Sequence, residues 1–299
     1  MMSRNVVNPF LRQRSFNRAS QANWRAFAAH REEVTSRLLA TAGGAAGALC
    51  VLGAGNCNDL DLLRLTEHWP TIRLVDIDAE AMQAGVANQF LSAGELARAR
   101  QGRIELSAGD LTGALELVHE ISQAPSREGF ARLRAALTQL PAPGQLGARF
   151  ATVASTCLLS QLIRTFERAA GEGSPEAQTL AELVRLQHLR TLAELTAPGG
   201  TALLFADFVS SESCPELLEA PAAALPGILE RVASAQGCFT GMNPLVIQRL
   251  LGTPPLAAYW AEPPTLSAPW VWDLGPRRYL VTAIACRRKL LDDRSPLAL

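Results

Sequence analysis

The sequence predicts an α/β protein built on a mostly parallel sheet that an antiparallel C-terminal β-hairpin closes. Three observations carry this expectation. Short apolar runs suited to buried strands recur at Leu49–Leu52, Ile72–Val75, Arg103–Ala108, Phe150–Ser155 and Ala197–Phe208, with helix-length stretches between them; that alternation suits strands joined by crossover helices. The first run breaks at Gly53-Ala54-Gly55, where two glycines let the backbone turn tightly and approach a ligand without a Cβ in the way. Near the C-terminus, Trp270–Leu274 and Arg278–Cys286 are separated by little more than Gly275-Pro276. A turn that short joins antiparallel strands, because a parallel pair needs a crossover.

Taken in order, residues 15–40 read as one helix. Phe16, Trp24, Phe27, Val34 and Leu38 can share an apolar face, with Arg18, Arg25, Arg31 and Arg37 opposite. The small residues Thr41–Gly47 then end it. Beyond the glycine turn, Asn58 or Asp59 is expected to cap a helix reaching about His68, aiming unpaired amides at whatever lies above the turn. The second strand ends in Asp76, where a carboxylate can accept hydrogen bonds from ribose hydroxyls. Asp78 can share that role or cap the helix that starts near Ala79. The third strand ends in Gly109-Asp110. Helices follow over Leu111–Ser122 and Gly129–Leu140, divided by Ala124-Pro125-Ser126 and closed by Pro141-Ala-Pro-Gly144. The fourth strand runs into a helix from Cys157. Ser174 and Pro175 are suited to N-cap and first position of a further helix ending near Thr196.

Residues 211–265 hold eight prolines and two helical stretches, Pro226–Gln236 and Pro244–Leu251. The expected organisation is therefore an N-terminal helical arm (1–42), an α/β core (43–210), a Pro-rich helical insertion (211–265), the hairpin (266–291) and a tail (292–299). Lying before the hairpin, the insertion belongs above the carboxyl edge of the sheet. It has two readings there, a substrate-pocket wall or a contact between two copies of the chain.

At 299 residues and 48% apolar content the chain can bury a large core. Its 28 basic residues balance 28 acidic ones, which speaks against a dedicated nucleic-acid binder with a global basic excess. The six cysteines, at 50, 57, 157, 214, 238 and 286, form no Cys-x-x-Cys pair and have no histidine at metal spacing. Neither a metal site nor a disulfide framework is expected, and a reducing cytoplasm is the expected setting. No run is long and apolar enough to suggest a membrane span.

On the glycine turn, the strand-end acids and the closing hairpin, the chain resembles the class I S-adenosylmethionine-dependent methyltransferases, over roughly residues 43–290. The resemblance implies a Rossmann-like sheet with S-adenosylmethionine as cofactor and S-adenosylhomocysteine as product. Gly53, Ala54 and Gly55 would pass beneath the methionine and ribose, and Asp76, with Ile77 beside it, would hold the ribose hydroxyls. Asp110 would take the adenine amino group, with Gly109 and Leu111 flanking the ring. Ser155 and Thr156 would face the methyl donor. The helical arm would serve as a lid. Asp207 is the first candidate for a general base and His30 the second. The implied activity is in-line methyl transfer to oxygen or nitrogen of a small molecule or short peptide, largely by positioning.

Two departures stand out. Val51 occupies a position that is commonly acidic in the family, and the fourth strand continues as Ser155-Thr156-Cys157-Leu158 rather than Asn-Pro-Pro-aromatic. The second makes nucleobase and glutamine amides poor acceptor candidates. Other readings stay open: aminocarboxypropyl transfer from the same cofactor, as in nicotianamine synthases, a cofactor-binding scaffold without catalysis, or a dehydrogenase.

Overall fold

A computed structural model describes residues 8–44, 47–91, 93–139 and 149–290. The expected tail at 292–299, the turn at 141–144 and the end of the second inter-strand helix at Leu140 lie outside the described residues. The sheet contains β1 (Leu49–Leu52), β2 (Ile72–Asp76), β3 (Ile104–Ala108), β4 (Phe150–Thr156), β5 (Thr196–Ser210), β6 (Thr265–Leu266), β7 (Trp270–Asp273) and β8 (Arg278–Arg287). Their order is β3-β2-β1-β4-β5-β8-β6, with β7 also paired to β8. The pairings from β3 through β5 are parallel, whereas β8 runs antiparallel to β5, β6 and β7. This is the mostly parallel, Rossmann-like sheet with an antiparallel close that the sequence led us to expect.

Register places the site. Leu52 pairs with Val75 on one side and Ser155 on the other, so Gly53, Asp76 and Thr156 emerge side by side at the carboxyl edge, where open α/β sheets bind ligands. β1 is buried at all four residues, as a central parallel strand covered on both faces must be. Successive side chains alternate between two cores: Leu49 and Val51 join one cluster, Cys50 and Leu52 the other.

On the first face pack α2 (Ala28–Leu39), α3 (Leu62–His68) and α4 (Ala79–Leu91), through Val34, Leu38, Leu62, Leu65, Met82 and Phe90. On the second lie α6 (Leu115–Gln123), α7 (Arg127–Thr138), α8 (Leu159–Ala170) and α9 (Pro175–Leu195). The short α5 (Glu95–Arg100) precedes β3. Ser126 caps α7, and Ser174 caps α9 with Pro175 at its start, so the turn chemistry there was legible in the sequence. The insertion carries α10 (Leu225–Ser234) and α11 (Pro244–Leu251). Among the described residues no helix is long and apolar enough to cross a membrane.

Three expectations are corrected. The single helix over 15–40 is instead α1 (Pro9–Ser20) and α2, separated at Gln21–Phe27. The carbonyls ending α1 are taken by side chains from the glycine loop: Asn56 Nδ2 donates to the carbonyl of Asn17, and Asn58 Nδ2 donates to that of Ser20 at 2.8 Å. The arm is therefore anchored to the loop rather than continued, and Phe16 and Trp24 lie exposed instead of sharing a face with buried Val34 and Leu38. Second, α3 is capped by Asp61, whose carboxylate accepts from the Arg64 amide at 3.2 Å, rather than by Asn58 or Asp59. Third, α8 begins at Leu159, because Cys157 takes a left-handed φ of 47° that a helix cannot include.

Candidate functional site

A cavity of about 750 Å³ opens above the carboxyl ends of β1, β4 and β5, within the ~300–1,000 Å³ typical of ligand pockets. Its floor is the glycine turn. Gly53 has φ 81° and Gly55 φ 45°, and a Cβ on Gly53 would lie 2.7 Å from the Leu158 Cβ. The next left-handed residue is Cys57, with φ 56°, close to where a dinucleotide fingerprint carries its last glycine. A cysteine thus adopts a glycine's conformation, at a cost of order 1–3 kcal/mol. It is held there by full burial of its side chain.

Asp76 turns one carboxylate oxygen to the Gly55 amide at 2.9 Å and the other to the Asp78 amide at 3.0 Å. Burial pushes its pKa up, and those amide donors oppose the shift. Asp78 accepts from the Ala81 amide at 3.1 Å and from Asn17 Nδ2 at 3.2 Å. Asp78 is thus the helix cap and the anchor of α1. Of the two acids, Asp76 alone lines the cavity.

Beside Asp76, which lines both, the cavity adjoins a narrow slot of about 40 Å³, walled by Ile77, Gly109, Asp110, Leu111, Leu115 and Leu162 among others. A Cβ on Gly109 would meet nothing within 4 Å, so that residue faces open space. The Asp110 carboxylate accepts from the Thr112 amide and hydroxyl at 2.8 and 2.7 Å and from the Leu115 amide at 2.8 Å. Pro9 of α1 lines both slot and cavity, so the arm's position sets the slot's width.

The end of β4 splits the residues expected to face a methyl donor. Thr156 lines the cavity and donates to the Gly53 carbonyl at 3.1 Å. Ser155 points into the opposite layer, where its hydroxyl lies 2.8 Å from His188 Nε2, both fully or nearly fully buried. Strand alternation is the reason: adjacent residues project to opposite faces. Ser155 is therefore a core residue and does not line the cavity.

At the end of β5, Asp207 lies in the cavity wall with 6% exposure. Its two oxygens accept one shared hydroxyl hydrogen from Ser160, at 2.8 and 2.9 Å. Burial pushes its pKa up to about 7, against the pull of Ser160 and Arg277. A second acid shares this cavity: burial, together with the charge of Asp207, raises Asp59 to about 7 as well.

His30 does not line the cavity; it stands behind Asp59. Its ring is 1% exposed and stacked on Trp272 at 4.6 Å. The Trp270 indole N–H donates to His30 Nδ1 at 3.1 Å, which leaves the proton of the neutral ring on Nε2. That atom points to Asp59 Oδ1 at 3.5 Å, and neither atom has another hydrogen-bond partner. Burial pushes His30 down to about 3, so the ring stays neutral. Sequence reasoning placed His30 as a candidate base and passed over Asp59 as a cap. The available signal was Asp61 two residues later, a better-placed cap that left Asp59 free.

Remaining walls come from both ends of the chain. Phe16, Asn17, Ser20 and Phe27 close the cavity from the arm, and Gly237–Thr240 from the insertion. Hairpin residues Trp272, Arg277 and Tyr279 complete it, with Arg277 bridged to Glu212 at 3.0 Å. Val51, at the position that is commonly acidic in the family, is fully buried in the core.

No protein-family model matches the chain, and no curated protein matches it significantly. Solved structures similar to it include the N-methyltransferase NodS from Bradyrhizobium japonicum WM9 in complex with S-adenosyl-L-homocysteine, at 12% identity and TM-score 0.45, covering 94% of this chain and 99% of that one. An O-methyltransferase family protein from Burkholderia thailandensis follows at 13% identity and TM-score 0.41, covering 94% of this chain and 60% of that one. The O-methyltransferase TomG from Streptomyces achromogenes, in complex with SAM, has 11% identity and TM-score 0.38, covering 84% of this chain and 77% of that one. At such values the fold assignment rests on the sheet's own strand order and polarity.

Proposed function

We propose that this protein is an S-adenosylmethionine-dependent methyltransferase acting on oxygen or nitrogen of a small molecule or short peptide. One observation carries the reading. A glycine turn, a ribose-suited carboxylate at Asp76 and a slot walled by Ile77, Gly109 and Leu111 adjoin a larger cavity holding Asp207, with Gly53 and Asp76 lining both. The residues fit the cofactor: Gly53 and Gly55 line the cavity with backbone alone, their left-handed turn packed against Leu158 and Asn17. Asp76 has spare lone pairs beyond its two amide donors.

When bound, S-adenosylmethionine supplies an electrophilic methyl: the acceptor's lone pair forms the new bond as the carbon–sulfur bond breaks, its electrons staying on sulfur. The chain's own residues do the rest. Asp76 fixes the ribose, and the leucine and glycine walls of the slot hold a flat ring by apolar contact. The arm and insertion wall the cavity, and the fewer waters that reach its groups, the stronger their electrostatics. Asp207, with its raised pKa, can take a proton from an acceptor near neutral pH. His30 acts only through Asp59.

Titration calorimetry with S-adenosylhomocysteine tests the cofactor, with micromolar binding expected. Mass spectrometry of the spent cofactor tests the reaction. S-adenosylhomocysteine is expected; methylthioadenosine would establish aminocarboxypropyl transfer instead, and no binding of either nucleoside would overturn the reading.

A further inference from the structure

We propose that the cavity holds a cation site and that the acceptor is an amine, bound as its ammonium by Asp59 and Asp207 against the rings of Phe27, Trp272 and Tyr279. This deepens the methyltransferase reading and rests on it for the word acceptor, though the cation site stands on its own geometry. Two carboxylates line one cavity, Asp207 buried and Asp59 with its side chain 15% exposed, each raised by desolvation and Asp59 also by the charge of Asp207. Buried like charges are costly unless a cation joins them.

The cavity wall carries two arginines, Arg164 and Arg277, and among the described residues neither forms an ion pair with Asp59 or Asp207. Arg277 is engaged with Glu212 at 3.0 Å and with Ser210 Oγ at 3.1 Å, and its guanidinium lies 4.8 Å over the Tyr279 ring. Arg31, whose charge reaches Asp59, lies outside the cavity lining and donates to the carbonyls of Trp24 and Asn58. His30, 99% buried and aimed at Asp59, is neutral and has no hydrogen-bond partner at Nε2. Among the described residues no third ligand joins the two acids in a metal-holding group.

The Phe27 and Trp272 rings favour a further positive charge beside the one that Arg277 places over Tyr279. Trp272 lies 5.3 Å from Tyr279 and 5.1 Å from Phe27, centroid to centroid, and all three line the cavity. Aromatic faces attract desolvated ammonium groups. An alcohol brings no positive charge to favour the ionised carboxylates, which without one keep their protons to about pH 7. An ammonium also arrives with its own proton to dispose of: R–NH3⁺ gives one proton to a carboxylate, leaving R–NH2 with a free lone pair and a neutral carboxylic acid.

The test compares amines with neutral alcohols of the same skeleton, 2-phenylethylamine with 2-phenylethanol and tryptamine with tryptophol. Binding is read by calorimetry and thermal shift, with and without S-adenosylhomocysteine, on the full chain. The expected result is about tenfold tighter binding of the amine in at least one pair, with the preference lost in Asp59→Asn and Asp207→Asn. Equal binding of amine and alcohol in every pair overturns the proposal, and that comparison needs no variant to fold. It is overturned equally if the two variants keep the amine preference and lose S-adenosylhomocysteine affinity, since the carboxylates would then serve the cofactor's amino group. Failure of the cofactor reading appears separately, as no S-adenosylhomocysteine binding to the unaltered protein.

Discussion

Asp207→Asn should make the protein more stable, increasingly so as pH rises. The native carboxyl holds its proton to about pH 7, whereas in the unfolded chain it ionises around 3.8. Between those values the native state binds more protons than the unfolded state, so stability contributed by this group falls as pH rises through the window. The same raised pKa amounts to a destabilisation of about 4 kcal/mol at pH 8 and under half that at pH 5. Asparagine carries no such charge, and its side-chain oxygen can still accept from Ser160. The variant's advantage should therefore grow by about 2–3 kcal/mol between pH 5 and pH 8. Urea denaturation at both values measures it, read as the difference in midpoint at constant slope. In a chain of this size that corresponds to roughly 4–10 °C in thermal midpoint. Loss of the Asp207 charge also relieves Asp59, which adds in the same direction. An advantage independent of pH, or one that shrinks toward pH 8, would refute the argument that burial of these acids stores this energy.

Other substitutions test separate parts of the site. Gly85→Ala on α4 would place a Cβ 2.6 Å from the Asn56 carbonyl carbon and 3.2 Å from the Cys57 Cβ. The clash should cost about 1–3 kcal/mol, outweighing the ~1 kcal/mol a helical alanine gains over glycine; a raised thermal midpoint would contradict it. Asp76→Ala removes the acceptor of the Gly55 and Asp78 amides. It should weaken both S-adenosylhomocysteine and methylthioadenosine by about tenfold or more, the loss of a charged hydrogen-bond partner. Calorimetry that finds either nucleoside unaffected would remove Asp76 from the ribose site. Trp270→Phe deletes the indole donor to His30 Nδ1. Nitrogen-15 NMR should show His30 as the Nε2–H tautomer in the parent and a mixture in the variant, and an Nδ1–H ring in the parent would sink the orientation argued for Asp59.

Much of the architecture was legible because it is local. Apolar runs of strand length, the Gly275-Pro276 turn and the Ser174-Pro175 helix start each state their geometry in adjacent residues, and the sheet follows from them. The arm was less legible. Its helical periodicity continues through Gln21–Phe27, yet the chain breaks there because Asn56 and Asn58, far along the sequence, capture the carbonyls at the end of α1.

The site divides along the same line. Gly53, Gly55 and Asp76 could be named from the sequence, since a tight turn needs glycine and a strand-end acid is visible in its spacing. The separation of Ser155 from Thr156 required knowing which face of β4 meets the cavity. Asp59 became a site residue only when Asp61 took the cap and α2 brought His30 behind it, locked by Trp270 from the opposite end of the chain. Sequence by itself determined the elements, their order and the turn at the sheet edge, because propensity and periodicity act over a few residues. Tertiary structure alone decided which acids share one cavity, because burial and charge proximity arise between residues about 150 positions apart.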